Sequence, residues 1–140
     1  MPGPPARVRA ALLFELEAYC TARGLQLTRL MARVGIDPAC LATPNELVPL
    51  NDTMALFDRV ARELEDPYFG LSFAREFKPG ASGLAGAILI TAPTVREALR
   101  QLARLVTAYS PQVTAEFIEQ DGVGALRWTN PDTITATRGH

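Results

Sequence analysis

The chain has 140 residues, a formal net charge of −1, 48% hydrophobic residues and 21% charged residues. This is ordinary globular composition at a length for one domain, which buries roughly two thirds of the surface exposed by its unfolded chain. It excludes a disordered tail, a collagen and a disulfide scaffold. The slightly acidic balance also lacks the basic excess of a dedicated nucleic-acid binder.

Residues 1–6 read as a disordered Pro/Gly lead-in, 7–130 as the folded domain and 131–140 as a polar tail. From about Arg7 to Ala22 the apolar residues Leu12, Leu13, Leu16, Tyr19 and Cys20 recur at helical steps, and Gly24 supplies a stop. Thr28 is the expected cap of a short helix through Val34, with Leu27, Leu30, Met31 and Val34 as its stripe and Gly35 as its end. Asp37-Pro38 starts one more turn through Leu41, because Asp caps and Pro suits the first helical position. Residues 43–46 carry turn chemistry, and Leu47 to Leu50 is extended around Pro49.

Asn51 or Asp52 is the expected cap of the next helix. Its buried stripe reads Met54, Phe57, Ala61 and Leu64, and its solvated face includes Asp58, Arg59, Arg62, Glu63 and Glu65. Asp66-Pro67 opens a helical turn holding Phe69, Leu71, Phe73 and Phe77, and Lys78-Pro79-Gly80 breaks it. Ser82 caps a Gly/Ala-rich helix, Gly83 to Ile90, and Ala92-Pro93-Thr94 stops that helix and caps the next. This next helix sets Val95, Ala98, Leu99, Leu102, Leu105, Val106 and Tyr109 against Arg96, Glu97, Arg100, Gln101 and Arg104, and Ser110-Pro111 ends it.

The hydrophobic period then changes from near 3.6 to 2. Val113, Ala115 and Phe117 alternate with polar residues, Asp121-Gly122 is a turn signal, and Leu126 and Trp128 alternate up to Thr129. The expected class is therefore α+β: an N-terminal helical bundle, a long amphipathic helix and a short antiparallel β-hairpin. A lone hairpin is marginal in water. Either it packs wholly on the helices, or a partner supplies strands, or the chain stops before its domain is complete.

Cys20 and Cys40 read as buried thiols of a reducing compartment, and two cysteines do not hold a structural zinc. The single histidine is His140, so no histidine base, triad or metal cluster is expected, and neither enzyme activity nor a cofactor. No signal peptide or membrane span is expected, which points to the cytoplasm. Residues 22–39 superficially resemble a helix-turn-helix. The short turn after Asp37 carries Ala39, Cys40 and Leu41, none of which reads a base edge. Ser82, Gly83 and Gly86 form either a close-packing helix or a helix start whose backbone approaches a ligand, without the spacing of a phosphate loop. Phe69, Phe73, Phe77, Tyr109, Phe117 and Trp128 are core candidates, and the polar tips of Tyr109 and Trp128 suit a small-molecule pocket between helices and sheet. Arg127 alternates onto the face opposite Trp128. Arg96, Arg100 and Arg104 read as a solvated stripe, with Glu97 as the available partner. The candidate ligand-binding residues are thus Phe77, Ser82, Gly83, Gly86, Tyr109 and Trp128.

Ordered motifs carry a family resemblance. Leu64-Glu65-Asp66-Pro67-Tyr68-Phe69-Gly70-Leu71 is similar to an L-x-D-P-x-x-G-L step between helices. Gly83-Leu84-Ala85-Gly86-Ala87 is similar to a G-L-x-G-x-A helix, and the run from Ala92 to Leu99 to an S-P-T-L-x-E-A-L helix start. Val34 to Pro38 resembles a G-V-D-P turn, and the hairpin follows where the family has its first strands. The set resembles the N-terminal, arabinose-binding-like domain of AraC/XylS-type transcription regulators. The resemblance implies an effector-sensing and dimerising domain that binds a small metabolite. It also implies a longer parent that reaches promoter DNA through two helix-turn-helix units, which this chain does not contain, so no direct nucleic-acid contact is expected. The alternative is a stand-alone interaction module that dimerises with, or competes against, full-length regulators.

Overall fold

The structure, a computed structural model, describes residues 5–78 and 83–129. Its first region runs through β1 (Arg7–Arg9), α1 (Ala11–Thr21), α2 (Leu27–Arg33), a 3-10 turn (Pro38–Ala42), β2 (Leu47–Pro49), α3 (Leu50–Glu63) and α4 (Phe69–Glu76). The second comprises α5 (Gly83–Thr91), α6 (Val95–Tyr109), β3 (Thr114–Gln120) and β4 (Val123–Thr129). The result is an α+β architecture with a helical core and, among the described residues, two separate antiparallel strand pairs.

The first helix starts later than its apolar period suggests. Arg7–Arg9 instead pairs antiparallel with Leu47–Pro49, Val8 opposite Val48. Ala6, assigned to the lead-in by sequence, is buried, and its carbonyl accepts from the Leu50 N–H at 2.8 Å. The N–H groups of Ala10 and Ala11 donate to the carbonyls of Glu46 and Pro44 at 2.8 and 2.9 Å. Loop carbonyls thereby satisfy donors at the start of α1 where no side chain caps it.

Two other expected caps are displaced. Helix α2 begins after Gln26 with no side-chain cap, so Thr28 lies within it. Helix α3 begins after Pro49, which places Asn51 and Asp52 inside its first turn, where Asp52 complements the helix dipole. The Asp37 cap holds: its Oδ1 accepts from the Ala39 N–H at 2.9 Å. Gly35 follows α2 at φ 82°, a left-handed conformation that costs a side chain dearly.

The core joins Leu13, Leu16 and Cys20 of α1, Leu27, Leu30 and Met31 of α2, Leu56 and Val60 of α3, and Phe69 and Phe73 of α4. The buried face of α3 is centred on Thr53, Leu56 and Val60, while Phe57, Ala61 and Leu64 pack at its flank. Asp58 is a correction: it is buried, not solvated, and its Oδ1 has no hydrogen-bond partner. Aromatic edges tie α1, α3 and α4 together. Tyr19 meets Phe69 and Phe73 with ring centres 5.7 and 5.4 Å apart, and Phe57 meets Phe69 at 5.5 Å. Both cysteines are buried free thiols, and burial pushes the Cys20 thiol pKa up to about 11.

In the second region Thr94 caps α6 as its sequence predicts, accepting from the Glu97 N–H at 3.1 Å. The hairpin register sets Ala115 opposite Trp128, Glu116 opposite Arg127 and Phe117 opposite Leu126. Asp121 and Gly122 both have positive φ, 52° and 78°, as a two-residue hairpin turn of the favoured twist requires. Gly124 is needed for another reason. A Cβ there would lie 2.9 Å from the Phe117 ring, which covers the glycine across the strands.

The two regions meet at β1. Arg9 Nε donates to the Ala108 carbonyl in the last turn of α6 at 2.7 Å. Ser110 Oγ donates to the Arg7 carbonyl at 2.8 Å, and the Arg7 N–H donates to Gln112 Oε1 at 3.1 Å. Ser110 is buried here, as are Val106 and Val113 on either side of it in sequence.

Candidate functional site

Helix α6 packs against both α5 and the hairpin. Arg96 Nε donates to Glu119 Oε1 at 2.7 Å and Arg100 Nη2 to Glu119 Oε2 at 3.2 Å, so one carboxylate of β3 bridges two turns of α6. Arg100 also lies 5.9 Å from the centre of the Phe117 ring. Arg96, Arg100 and Arg104 are exposed, as the solvated stripe read from sequence expects, and the first two are also joined to the hairpin through Glu119, a partner the sequence reading does not supply. Arg100 lies 4.0 Å from Glu97 as well. Arg127 does take the face opposite Trp128 and pairs with Glu116 at 3.5 Å.

Gly83 opens α5, Gly86 is buried within it, Tyr109 is the last residue of α6, and Trp128 lies in β4. These four positions fall on neighbouring elements, since α6 packs against both α5 and the hairpin. Trp128 is 48% exposed and shares its strand face with Leu126 and, across the ladder, Ala115 and Phe117. Ser82 and the Tyr109 side chain lie outside the described residues. Phe77 belongs elsewhere: it caps the C-terminus of α4 and meets Phe73 edge-on at 5.8 Å, packed on the core of the first region.

A second site lies between the end of α1 and α4. Tyr19, Arg23, Asp66, Ser72, Arg75 and Glu76 line a cleft of about 470 Å³. The Arg23 guanidinium stacks 3.5 Å from the centre of the Tyr19 ring and forms an ion pair with Glu76, whose hydrogen bond raises the Arg23 pKa. Asp66 turns the chain into α4 by accepting from the Tyr68 N–H at 2.8 Å. Tyr19 is only 6% exposed, and burial raises its pKa. The Tyr19–Arg23 spacing of one helical turn is a signal that sequence reading passes over. The carboxylates across the cleft come from residues more than forty positions away and carry no local signal.

Among the described residues no three metal-ligating side chains cluster, and no helix is long and apolar enough to cross a membrane. One family model, the N-terminal arabinose-binding domain of AraC transcription regulators, matches residues 24–139. No curated protein matches the sequence. The family match begins just before α2, so it leaves out β1 and α1 of the first region and takes in all the elements from α2 to β4, including the segments at Asp66-Pro67, Gly83 to Ala87 and Ala92 to Leu99. The chain belongs to the family of N-terminal arabinose-binding domains of AraC transcription regulators.

Proposed function

We propose that the chain is an effector-sensing domain that binds a small metabolite and thereby modulates transcription. The observation that carries this reading is the family match from α2 to β4. In such a domain a metabolite acts by population shift: it binds one arrangement better and biases how the regulator's helix-turn-helix units meet DNA. The described residues themselves make no DNA contact in this reading, catalyse no reaction and carry no cofactor. The protein works in the cytoplasm, as a dimer or paired with its parent regulator. The packing of α6 on the hairpin supports a metabolite site on the sheet face that carries Trp128, where a helix and a strand pair supply mixed apolar and polar groups.

Calorimetric titration with sugars, amino acids, fatty acids and nucleotides, read in parallel by Trp128 fluorescence, tests the reading. A saturable heat with a matching fluorescence change is expected. Saturable binding with a silent Trp128 moves the site away from the hairpin, and no binding by any class contradicts the sensing role.

A second reading is an interaction module that pairs with other regulator subunits. The observation favouring it is β4, where six of seven residues are exposed. Light scattering after size exclusion separates the two: a folded monomer at all concentrations removes the module reading.

A further inference from the structure

Helix α6 covers the hairpin unevenly. It lies along β3, whose Glu119 and Phe117 meet Arg96 and Arg100, and touches β4 much less. Among the described residues β4 pairs with β3 alone, so its other edge is open. Six of its seven residues are exposed, with Val123 at 70% and Trp128 at 48%. Native edge strands are ordinarily guarded by proline, charge or a bulge. Strand β4 has no proline, a single charge at Arg127 and an unbroken ladder on β3. An open edge of this composition is a template for another strand.

Its residues say which strand fits. The turn at Asp121-Gly122 has two residues, so Gln120 and Val123 close the hairpin as a hydrogen-bonded pair. Alternation then turns the backbone of Val123, Ala125 and Arg127 towards β3 and that of Gly124 and Leu126 towards the open edge. The strand is complementary to itself when reversed about Leu126. Trp128 then lies opposite Gly124 of a second copy, Arg127 opposite its Ala125 and Thr129 opposite its Val123, while the two Leu126 backbones exchange hydrogen bonds. Trp128 and Arg127 each meet a small residue, and the indole joins the Phe117 ring that already covers Gly124. Neighbouring registers are worse. Centring on Arg127 sets like charges opposite each other, and centring on Ala125 runs Trp128 into the turn of the second copy. The two α6 helices do not collide. Lying over β3 and its copy, they are three strand spacings apart, about 14 Å, beyond the roughly 8–10 Å of packed helices.

We propose that the open edge of β4 is a docking surface for a second copy of this chain, the two hairpins joining antiparallel about Leu126 into one four-stranded sheet. Seven residues a side is far below the roughly 20–30 of a standard interface, so the pairing is weak, with a Kd on the order of 10–100 μM. The proposal rests on the pairing part of the proposed function, names the surface for it, and does not depend on where a metabolite binds.

The test is analytical ultracentrifugation of the whole chain and two variants, from about 5 μM to about 1 mM. Ala125 is exposed, and in this register it meets Arg127 twice, once on each side of the axis. Ala125→Lys should weaken association at least about tenfold, and Ala125→Glu should tighten it several-fold. The gain from glutamate should vanish in about 1 M salt, and neither variant should change the melting temperature of dilute protein. In a mixture of labelled and unlabelled chains, an isotope-filtered NOE should join the Trp128 indole to Gly124. Amide exchange at Gly124 and Leu126 should slow as concentration rises. A dimer indifferent to both substitutions, or weakened by both, overturns the proposal and leaves the pairing reading standing. A folded monomer at the highest concentration overturns both. Protection of the Gly124 and Leu126 amides that is independent of concentration means that other residues of the same chain cover the edge, and also overturns the proposal. Dimerisation through β4 without any effect on promoter occupancy by a regulator carrying this domain supports the surface and contradicts the sensing reading.

Discussion

The two regions of the chain are held together by different physics. In the first, Ala10, Leu13, Leu16, Cys20, Met31, Leu56, Val60 and Phe69 are fully buried, and four rings interlock at edge-to-face distances. In the second, the described apolar stripe of α6 is half-covered at Leu99, Leu102 and Leu105, and the hairpin is tied on by Glu119 and its two arginines. A close-packed aromatic core resists deformation. A helix and hairpin joined by exposed ion pairs rearrange at a cost of about 1 kcal/mol per tie. A sensing domain needs both: a fixed scaffold and a part whose equilibrium a ligand can bias.

The largest test of this contrast is Phe69→Ala. It removes a fully buried ring that touches Tyr19, Phe57 and Phe73, and the expected loss is about 3–5 kcal/mol by urea denaturation. A loss below about 1 kcal/mol would mean that the first region is not the scaffold. Alkaline titration probes the same core by another route. The Cys20 thiol is pushed from 9.0 to about 11 by burial, so the folded state holds its proton where the unfolded state releases it. Its stabilisation is complete below pH 9 and is lost as pH rises towards 11, and Tyr19, also raised by burial, adds a loss in the same direction above pH 10. Cys20→Ala should flatten the pH 9–11 part of that slope in urea midpoints, and an unchanged slope would count against burial of the thiol.

Smaller effects are expected in the second region. Thr94→Ala removes the α6 cap and should cost about 1 kcal/mol in thermal unfolding. Arg9→Ala cuts the tie to the Ala108 carbonyl and should cost about 1 kcal/mol, with faster amide exchange in residues 106–113 and none of the core exposed. Glu119→Gln should cost less than about 1 kcal/mol at low salt and nothing measurable at 1 M salt, since the pairs are half-exposed and screened. A loss that persists in high salt would show packing, not charge, holding the hairpin to α6.

Local chemistry was legible in the sequence. The Asp37 and Thr94 caps, the Asp121-Gly122 turn and the extent of α6 each depend on neighbours within a few residues, and each is where the pattern puts it. Contacts between distant segments were not. Arg7–Arg9 reads as helix because nothing nearby announces its partner forty residues on. Asp58 reads as solvated because its period fits the polar face, and tertiary packing buries it regardless. Glu119 gives no sign of Arg96 and Arg100, and Tyr19 gives no sign of Asp66 and Glu76. Of the expected ligand residues, Gly83, Gly86, Tyr109 and Trp128 fall on packed neighbouring elements, while Phe77 was grouped with them only by its aromatic type.

Native-state hydrogen exchange across the whole chain tests the division most directly. The account predicts that core amides of α1, α3 and α4 exchange only through global unfolding. Those of α6, β3 and β4 should open at a free energy lower by at least about 1–2 kcal/mol, as a unit. Equal protection across both regions, with opening of α6 and the hairpin only through global unfolding, would contradict it.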